Sequence, residues 1–362
     1  MNYKIDMEPQ TPAYLQLYRQ LRADIVDGVY PFGVRLPSKR LIAEELGISL
    51  ITVEHAYALL CDEGYAVARE RSGFFASFHP SEGFVGDGDD RKITIPSRPH
   101  GDAPDISEFP FSVLARAMRR VISDYAEGIL EKSPNEGILE LRSAIARYLA
   151  RSRGIHADAS QIVIGSGSEY LYRLLIDLLG RDKRYAFESP SYKKIEQVYR
   201  ASCVSCSALP LGSDGIDSSA LRASDADVLH ITPYRSFPSG VTASASKRHE
   251  YLRWASEGSR YIVEDDFESE FSVSRKPEET LFSLSRDENV LYLNTFSKTV
   301  SPALRMGYLV LPQHLLPVFR ERLGFYSCTV PTFEQLLLAS LISSGDFERH
   351  INRVRRRRRE GS

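Results

Sequence analysis

Within residues 260–308, two short apolar runs, Tyr261-Ile-Val263 and Val290-Leu-Tyr-Leu293, each stop abruptly at polar residues. Runs of this length suit strands that are buried on both faces of an α/β sheet. In such sheets ligands bind beyond the carboxyl ends of the strands. One strand end carries Glu264, Asp265 and Asp266; the other carries Thr295, Ser297 and Lys298, with Arg305 seven residues further on. With the two strands in one sheet, an amine, carboxylates, hydroxyls and a guanidinium would stand at strand ends where ligands bind.

Those groups match the chemistry of one cofactor. A lysine amine forms a Schiff base with an aldehyde. A carboxylate pairs with a protonated pyridine nitrogen and keeps the ring an electron sink. Hydroxyls and a guanidinium suit a phosphate dianion. Pyridoxal 5'-phosphate has all three features. A solvated loop beside acidic strand caps would give the same local spacing, so the remaining segments matter.

The 362 residues suffice for two or three domains, and the 43% hydrophobic and 26% charged content is that of a globular protein. A net charge of −2 neither requires nor excludes nucleic acid. No run approaches the ~20 apolar residues of a membrane span, and the first residues lack a signal-peptide core, so a cytoplasmic protein without membrane contact is expected. Cys61, Cys203, Cys206 and Cys328 are too scattered for a disulfide framework. The Cys203-Val-Ser-Cys206 pair has no second pair or nearby histidine to complete a metal site.

Residues 12–27 start at Pro12 and place Tyr14, Leu17, Tyr18, Leu21 and Ile25 at helical spacing. Ser38 is the expected N-cap of a second helix that runs to Leu46. Gly47-Ile-Ser49 then makes a short turn into a third helix, which ends at Gly64. Two strand-like runs, 65–69 and 74–77, flank Glu70-Arg-Ser-Gly73 as a hairpin. Three helices and a hairpin in this order make a winged helix-turn-helix over residues 1–78; a small protein-binding helical domain has the same outline. Residues 79–104 are rich in Gly, Pro, Ser and charge and read as a linker. From residue 105 onward helices and strands alternate, which implies a mainly parallel sheet flanked by helices. Gly165-Ser-Gly-Ser168 joins one of these strands to its helix, a place where backbone N–H groups favour an anion.

Two stretches carry a family resemblance. The first is Arg35-Leu-Pro-Ser-Lys-Arg40-Leu, followed by Leu46-Gly-Ile-Ser-Leu-Ile-Thr-Val53, and it is similar to the GntR winged-helix signature. The second is Thr295-Phe-Ser-Lys298 with Arg305-Met-Gly-Tyr308, preceded by Glu264-Asp-Asp-Phe267 and Ser269-Glu-Phe271. It resembles the aminotransferase-like domain of the MocR subfamily of GntR-type regulators, and the resemblance extends from about Ala13 to the last residue.

The resemblance implies a winged helix followed by a fold-type-I aminotransferase-like α/β domain, spanning residues 105–362. It implies that Lys298 holds pyridoxal phosphate covalently and that Asp265 faces the pyridine nitrogen. Thr295, Ser297 and Arg305 would surround the phosphate, with Ser166, Gly167 and Ser168 as the phosphate loop, and Tyr192 would stack on the ring. For the winged helix it implies that the third helix enters the major groove of an operator and that Arg40 touches DNA. The candidate DNA-contacting set is Arg35, Ser38, Lys39, Arg40, Ser49, Ile51, Thr52 and Gly73. The implied function is a homodimeric, pyridoxal-phosphate-dependent transcriptional regulator. It would sense the cofactor, or an amino compound that forms an external aldimine with it. A pyridoxal-phosphate aminotransferase with an accessory winged helix is the alternative.

Five departures stand out. Leu50 occupies the place of an arginine that contacts guanine, and leucine can meet only apolar groups such as a thymine methyl. Phe267 replaces a tyrosine whose hydroxyl meets the cofactor's phenolic oxygen, and Ser239 replaces the threonine of a Pro-Thr-Gly loop. Lys132 stands where a tyrosine reaches the partner subunit's phosphate. The chain stops at Arg353-Val-Arg-Arg-Arg-Arg-Arg-Glu-Gly-Ser362, where relatives continue into a small C-terminal domain, so a C-terminally incomplete domain is expected.

Overall fold

The computed structural model describes residues 3–5, 11–70, 72–79, 109–266, 269–272 and 279–360. The chain divides into two compact units, Met1–Pro99 and His100–Ser362. Most of the expected linker, and Phe267, lie outside the described residues.

In the first unit, α1 (Ala13–Val26) turns Leu17, Tyr18, Leu21 and Ile25 inward. Helix α2 (Lys39–Leu46) begins where the Ser38 hydroxyl accepts from the Leu41 N–H, and it ends at Gly47 in the left-handed region. Helix α3 (Leu50–Asp62) is capped in the same way by Ser49 on the Thr52 N–H, and it buries Val53, Ala56, Tyr57 and Leu60. Side-chain caps of this kind satisfy N–H groups that the first turn of a helix leaves open. Strands β1 (Ala66–Arg69) and β2 (Gly73–Ala76) pair antiparallel. Residues 33–36 run along the other edge of β2, through Ala76 N–H to Val34 O and Leu36 N–H to Phe74 O, both 2.8 Å. Leu17, Leu21, Ile42, Tyr57 and Leu60 form one core beneath, each fully buried. This is the winged helix-turn-helix expected from the spacing.

The second unit opens with α4 (Phe111–Tyr125) and α5 (Leu139–Arg153). Strand β3 (Ile162–Gly165), α6 (Ser168–Leu179), β4 (Arg184–Ser189), α7 (Lys193–Ala201), β5 (Ser205–Pro210), α8 (Ser218–Ala223) and β6 (Val228–Ile231) follow. The chain continues through α9 (Ala245–Glu257), β7 (Tyr261–Asp265), α10 (Leu281–Leu284), β8 (Val290–Thr295) and β9 (Gly307–Val310). Helices α11 (Leu316–Leu323), α12 (Thr332–Ser343) and α13 (Asp346–Glu360) complete it.

Seven strands make one sheet in the order β3-β9-β8-β7-β6-β4-β5. The four pairings from β8 to β5 are parallel, and β9 runs antiparallel to both β3 and β8. The mainly parallel sheet is as expected. Strands β5 and β9 were not legible in advance. β5 is a mostly exposed edge strand that ends in proline, so it presents no apolar run. β9 begins inside the Arg305-Met-Gly-Tyr308 motif, and its first residue, Gly307, is a poor strand signal.

Period-two alternation sends neighbouring acids to opposite faces of the sheet. On one face, Asp265 at the end of β7 meets Tyr172 of α6 and His230 of β6. On the other, Asp266 meets Arg153 at the end of α5 and Tyr292 of β8. That second face is packed by α5, α12 and α13, around Tyr148, Leu338 and Phe347.

Candidate functional site

A cavity of about 330 Å³ opens at the carboxyl ends of β7 and β8. It brings together Lys298, Asp265, Arg305, Thr295, Ser297, Ser168 and Tyr192, all chosen from the sequence. Glu169, Tyr172, Thr232, Phe237 and Pro302 complete its wall. Ser166 and Gly167 directly precede Ser168 in the turn between β3 and α6 and are not among the residues that line the cavity. Gly167 has φ +95°, and a Cβ there would sit 3.1 Å from Arg305 Nη2. The guanidinium therefore lies close against the loop that starts α6, where the positive φ favours glycine.

Asp265 is 4% exposed. Its Oδ2 accepts a short hydrogen bond from the Tyr172 hydroxyl and faces His230 Nε2 at 3.4 Å. His230 Nδ1 in turn meets the Tyr199 hydroxyl at 2.8 Å. Burial, and then the Asp265 charge, push the Tyr172 phenol well above its usual range, so it stays a donor. Sequence reasoning missed Tyr172, Tyr199 and His230. The available signal was a polar histidine in the otherwise apolar run Val228–Ile231.

Glu188, at the end of β4, is buried and accepts from the Ser236 hydroxyl and, at 3.2 Å, from the Thr232 N–H. Burial pushes its carboxyl up to about 8, against those hydrogen bonds. It thus fastens to the sheet the loop that carries Phe237. Ser239 lies on that loop and donates to Ser236 O at 3.1 Å. Phe237 faces Tyr192 edge-on, with ring centroids 6.4 Å apart.

Arg305 Nη2 donates to Glu169 Oε2 at 2.6 Å, and Lys194 makes a short ion pair with the same carboxylate. Burial alone would raise the Glu169 carboxyl, but the bonds from Lys194 and Arg305 outweigh it and hold the group at about 2. Glu169 was also missed in the sequence, where it reads as an ordinary first-turn acid.

The strand ends are braced from the opposite face. Arg153 and Asp266 pair at 2.7 Å with both side chains under 10% exposed. The Tyr292 hydroxyl donates to Asp266 at 2.7 Å, and Asn294 Nδ2 donates to Glu270 at 2.7 Å. Asn294 Oδ1 accepts from the Thr295 N–H at 2.6 Å, and Arg355 of α13 reaches Glu270 O at 2.6 Å. Burial raises the carboxyls of Glu264, to about 7, and of Glu270. Lys132 lies exposed next to buried Ser133, which accepts from Gln335, and it does not line the cavity.

In the first unit, Arg35, Ser38, Lys39, Arg40 and Gly73 line one surface recess together with Leu50, Glu54 and Phe74. Gly73 has φ +103°, and a Cβ there would lie 3.2 Å from Arg35 Nε. Lys39 pairs with Glu54 at 2.7 Å. Ser38, Ser49 and Thr52 are engaged in the caps, with Ser49 Oγ and Thr52 Oγ1 2.8 Å apart. Leu50 and Ile51 project outward, 40% and 64% exposed.

Among the described residues no helix is long and apolar enough to cross a membrane, and no group of His, Cys, Asp or Glu side chains is arranged to hold a metal.

The family model for bacterial regulatory proteins of the gntR family matches residues 13–76, and that for aminotransferase class I and II matches residues 103–360. The uncharacterized HTH-type transcriptional regulator YdeL of Bacillus subtilis is 34% identical over 95% of this chain and 76% of its own length. The probable rhizopine catabolism regulatory protein MocR of Rhizobium meliloti is 29% identical over 97% of the chain and 76% of its own. The pyridoxine biosynthesis transcriptional regulator PdxR of Corynebacterium glutamicum is 29% identical, over 97% and 78%. Among solved structures, the α-aminoadipate aminotransferase LysN of Thermus thermophilus, complexed with N-(5'-phosphopyridoxyl)-L-leucine, aligns with TM-score 0.59 at 28% identity. That match covers 70% of this chain and 65% of LysN, so the chain spans just under two thirds of that enzyme. The chain belongs to the GntR family of HTH-type transcriptional regulators, in the MocR branch that joins a winged helix to an aminotransferase-like domain.

Proposed function

We propose that the chain is a pyridoxal-phosphate-dependent DNA-binding regulator that senses the cofactor, or an amino compound bound through it. The observation that carries this is the convergence of Lys298, Asp265 and Arg305 on one cavity at the strand ends. The donor set fits the cofactor. Asp265 is a carboxylate already held by Tyr172 and His230, as a pyridinium nitrogen requires. The N-terminus of α6, Gly167 and Arg305 form an anion cradle. Tyr192 and Phe237 supply aromatic walls for a planar ring. Bound there, the cofactor would supply an aldehyde that reacts reversibly with amines. In this reading Lys298 anchors it, Asp265 keeps its ring nitrogen protonated, and Thr295, Ser297, Ser166, Gly167, Ser168 and Arg305 hold its phosphate.

The naming of PdxR for control of pyridoxine biosynthesis, and the phosphopyridoxyl ligand of LysN, support this choice. The aminotransferase alternative draws on the same cavity, but it leaves the winged helix without a role.

The DNA partner would be a double-stranded operator read by α3, with Arg35, Lys39 and Arg40 toward the phosphate backbone or base edges. The caps made by Ser38 and by Ser49, which accepts from the Thr52 N–H, fix the helix starts, and Gly73 keeps the hairpin close to Arg35. We further place the protein in the cytoplasm as a homodimer. Exposed Leu130, Leu139, Phe325 and Tyr326 support the dimer, and the segments carrying Leu130 and Phe325 are linked by Asn135 Nδ2 to Gly324 O at 2.6 Å. Spectroscopic titration tests the cofactor reading. Pyridoxal phosphate should give a visible absorption band with the wild-type protein and none with Lys298→Ala; the same band in both would refute it.

A further inference from the structure

One contact at the cavity has no part in holding a cofactor. Arg305, which lies against the α6 loop over Gly167, is already paired with an internal anion, Glu169, at 2.6 Å. Glu169 occupies the first turn of α6, directly after Ser168, and lines the same cavity. Its second partner is Lys194, in the first turn of α7. The carboxylate therefore bridges two cations from different elements, at the place where the loop N–H groups and Arg305 favour a ligand anion.

We infer that Glu169 is a built-in competitor for Arg305, which weakens the hold of the site on a phosphate group and keeps the ligand exchangeable. This rests on the pyridoxal-phosphate reading above.

The charges favour it. Arg305 and Lys194 bring two positive charges to this corner, and Glu169 cancels one of them. A phosphate dianion then meets a net charge of one plus instead of two. Arg305 is 55% exposed and Glu169 27% on their side chains, so solvent screens the effect without abolishing it. Lys194 gives Glu169 a place to stay once Arg305 turns to the ligand, so release leaves no carboxylate unpaired. A resident enzyme cofactor needs tight retention. A sensor needs a ligand that leaves when its concentration falls, and an internal anion of this kind supplies that property.

The test compares pyridoxal phosphate with pyridoxal, which has the same aldehyde and ring but no phosphate. Each is titrated into wild-type full-length protein, Glu169→Gln and Glu169→Ala, following the visible band and the quenching of the chain's single tryptophan, Trp254 of α9, with circular dichroism to verify folding. Both variants should bind pyridoxal phosphate about tenfold more tightly at low salt, as removal of one screened unit charge implies, with pyridoxal affinity unchanged. The gain should shrink as salt is raised. Equal or weaker binding of pyridoxal phosphate by the folded variants would overturn the competitor role, as would an equal gain for pyridoxal. If neither compound gives a band or quenching with any of the proteins, the cofactor reading itself fails.

Discussion

At the scale of single residues, the site depends on what surrounds each buried carboxylate. Asp265 is supplied with donors, whereas Glu188 is buried with donors too weak to offset its desolvation. On the proposed cofactor reading, Asp265→Asn keeps the shape but removes the carboxylate assigned to the ring nitrogen. A hydrogen bond to a charged group contributes roughly 1.5–3 kcal/mol, so cofactor affinity should fall about ten- to a hundredfold in a spectroscopic titration.

Glu188 makes a prediction about pH. Its folded-state value of about 8 lies above the ordinary carboxylate value. Between the two, the folded protein holds a proton that the unfolded chain has lost, so stability falls as pH rises through that window. His350 acts in the opposite sense only at lower pH. Burial, and then Arg353 and Arg357, lower it to about 4, and its contribution is complete above its ordinary value of 6.5. The melting temperature should therefore decline between pH 6.5 and 8, and less so in Glu188→Gln; scanning calorimetry at half-unit steps would show it.

At the scale of elements, the strand ends that carry the site are set by what lies behind them. Arg153 ties the end of α5 to Asp266, and Asn294 ties β8 to Glu270. Breaking a buried pair by removing one partner typically costs about 3–5 kcal/mol, so Arg153→Met should lower the unfolding free energy of its unit by that order in urea titrations. None of this network was legible in the sequence. An arginine at a helix end gives no sequence sign of burial, and the partner of Arg153 lies over a hundred residues away.

The reverse holds for Asp265, Thr295 and Lys298. Short apolar runs read as buried strands, whose carboxyl ends are where ligands bind, and the sheet does bring these residues to one cavity. Helices α1 to α3 were equally readable, because proline, serine caps and glycine stops mark their ends. On α3, the exposed Leu50 offers only apolar contact to a base edge. Leu50→Arg should shift base preference toward guanine in a binding selection, and Arg40→Ala should weaken binding to any selected operator. Unaltered preference and affinity would remove α3 and Arg40 from the reading surface.

At the scale of the whole molecule, two units of different chemistry lie on one chain, a winged helix and an aminotransferase-like domain. Regulation requires that ligand binding to one change the affinity of the other for DNA, which is a coupling free energy between sites. A dimer built on the exposed apolar side chains would join two winged helices and favour paired half-sites. Phe325→Glu should then shift sedimentation toward monomer and reduce binding to a paired operator more than to a single half-site.

The most direct measurement is operator affinity, by fluorescence anisotropy at fixed salt on a duplex selected with the full chain. It would be made with and without pyridoxal phosphate, for wild type and Lys298→Ala. A sensing regulator gives a cofactor-dependent shift in wild type that Lys298→Ala abolishes. Identical curves with and without the cofactor in wild type, despite a visible band showing that it is bound, would contradict the regulator outright.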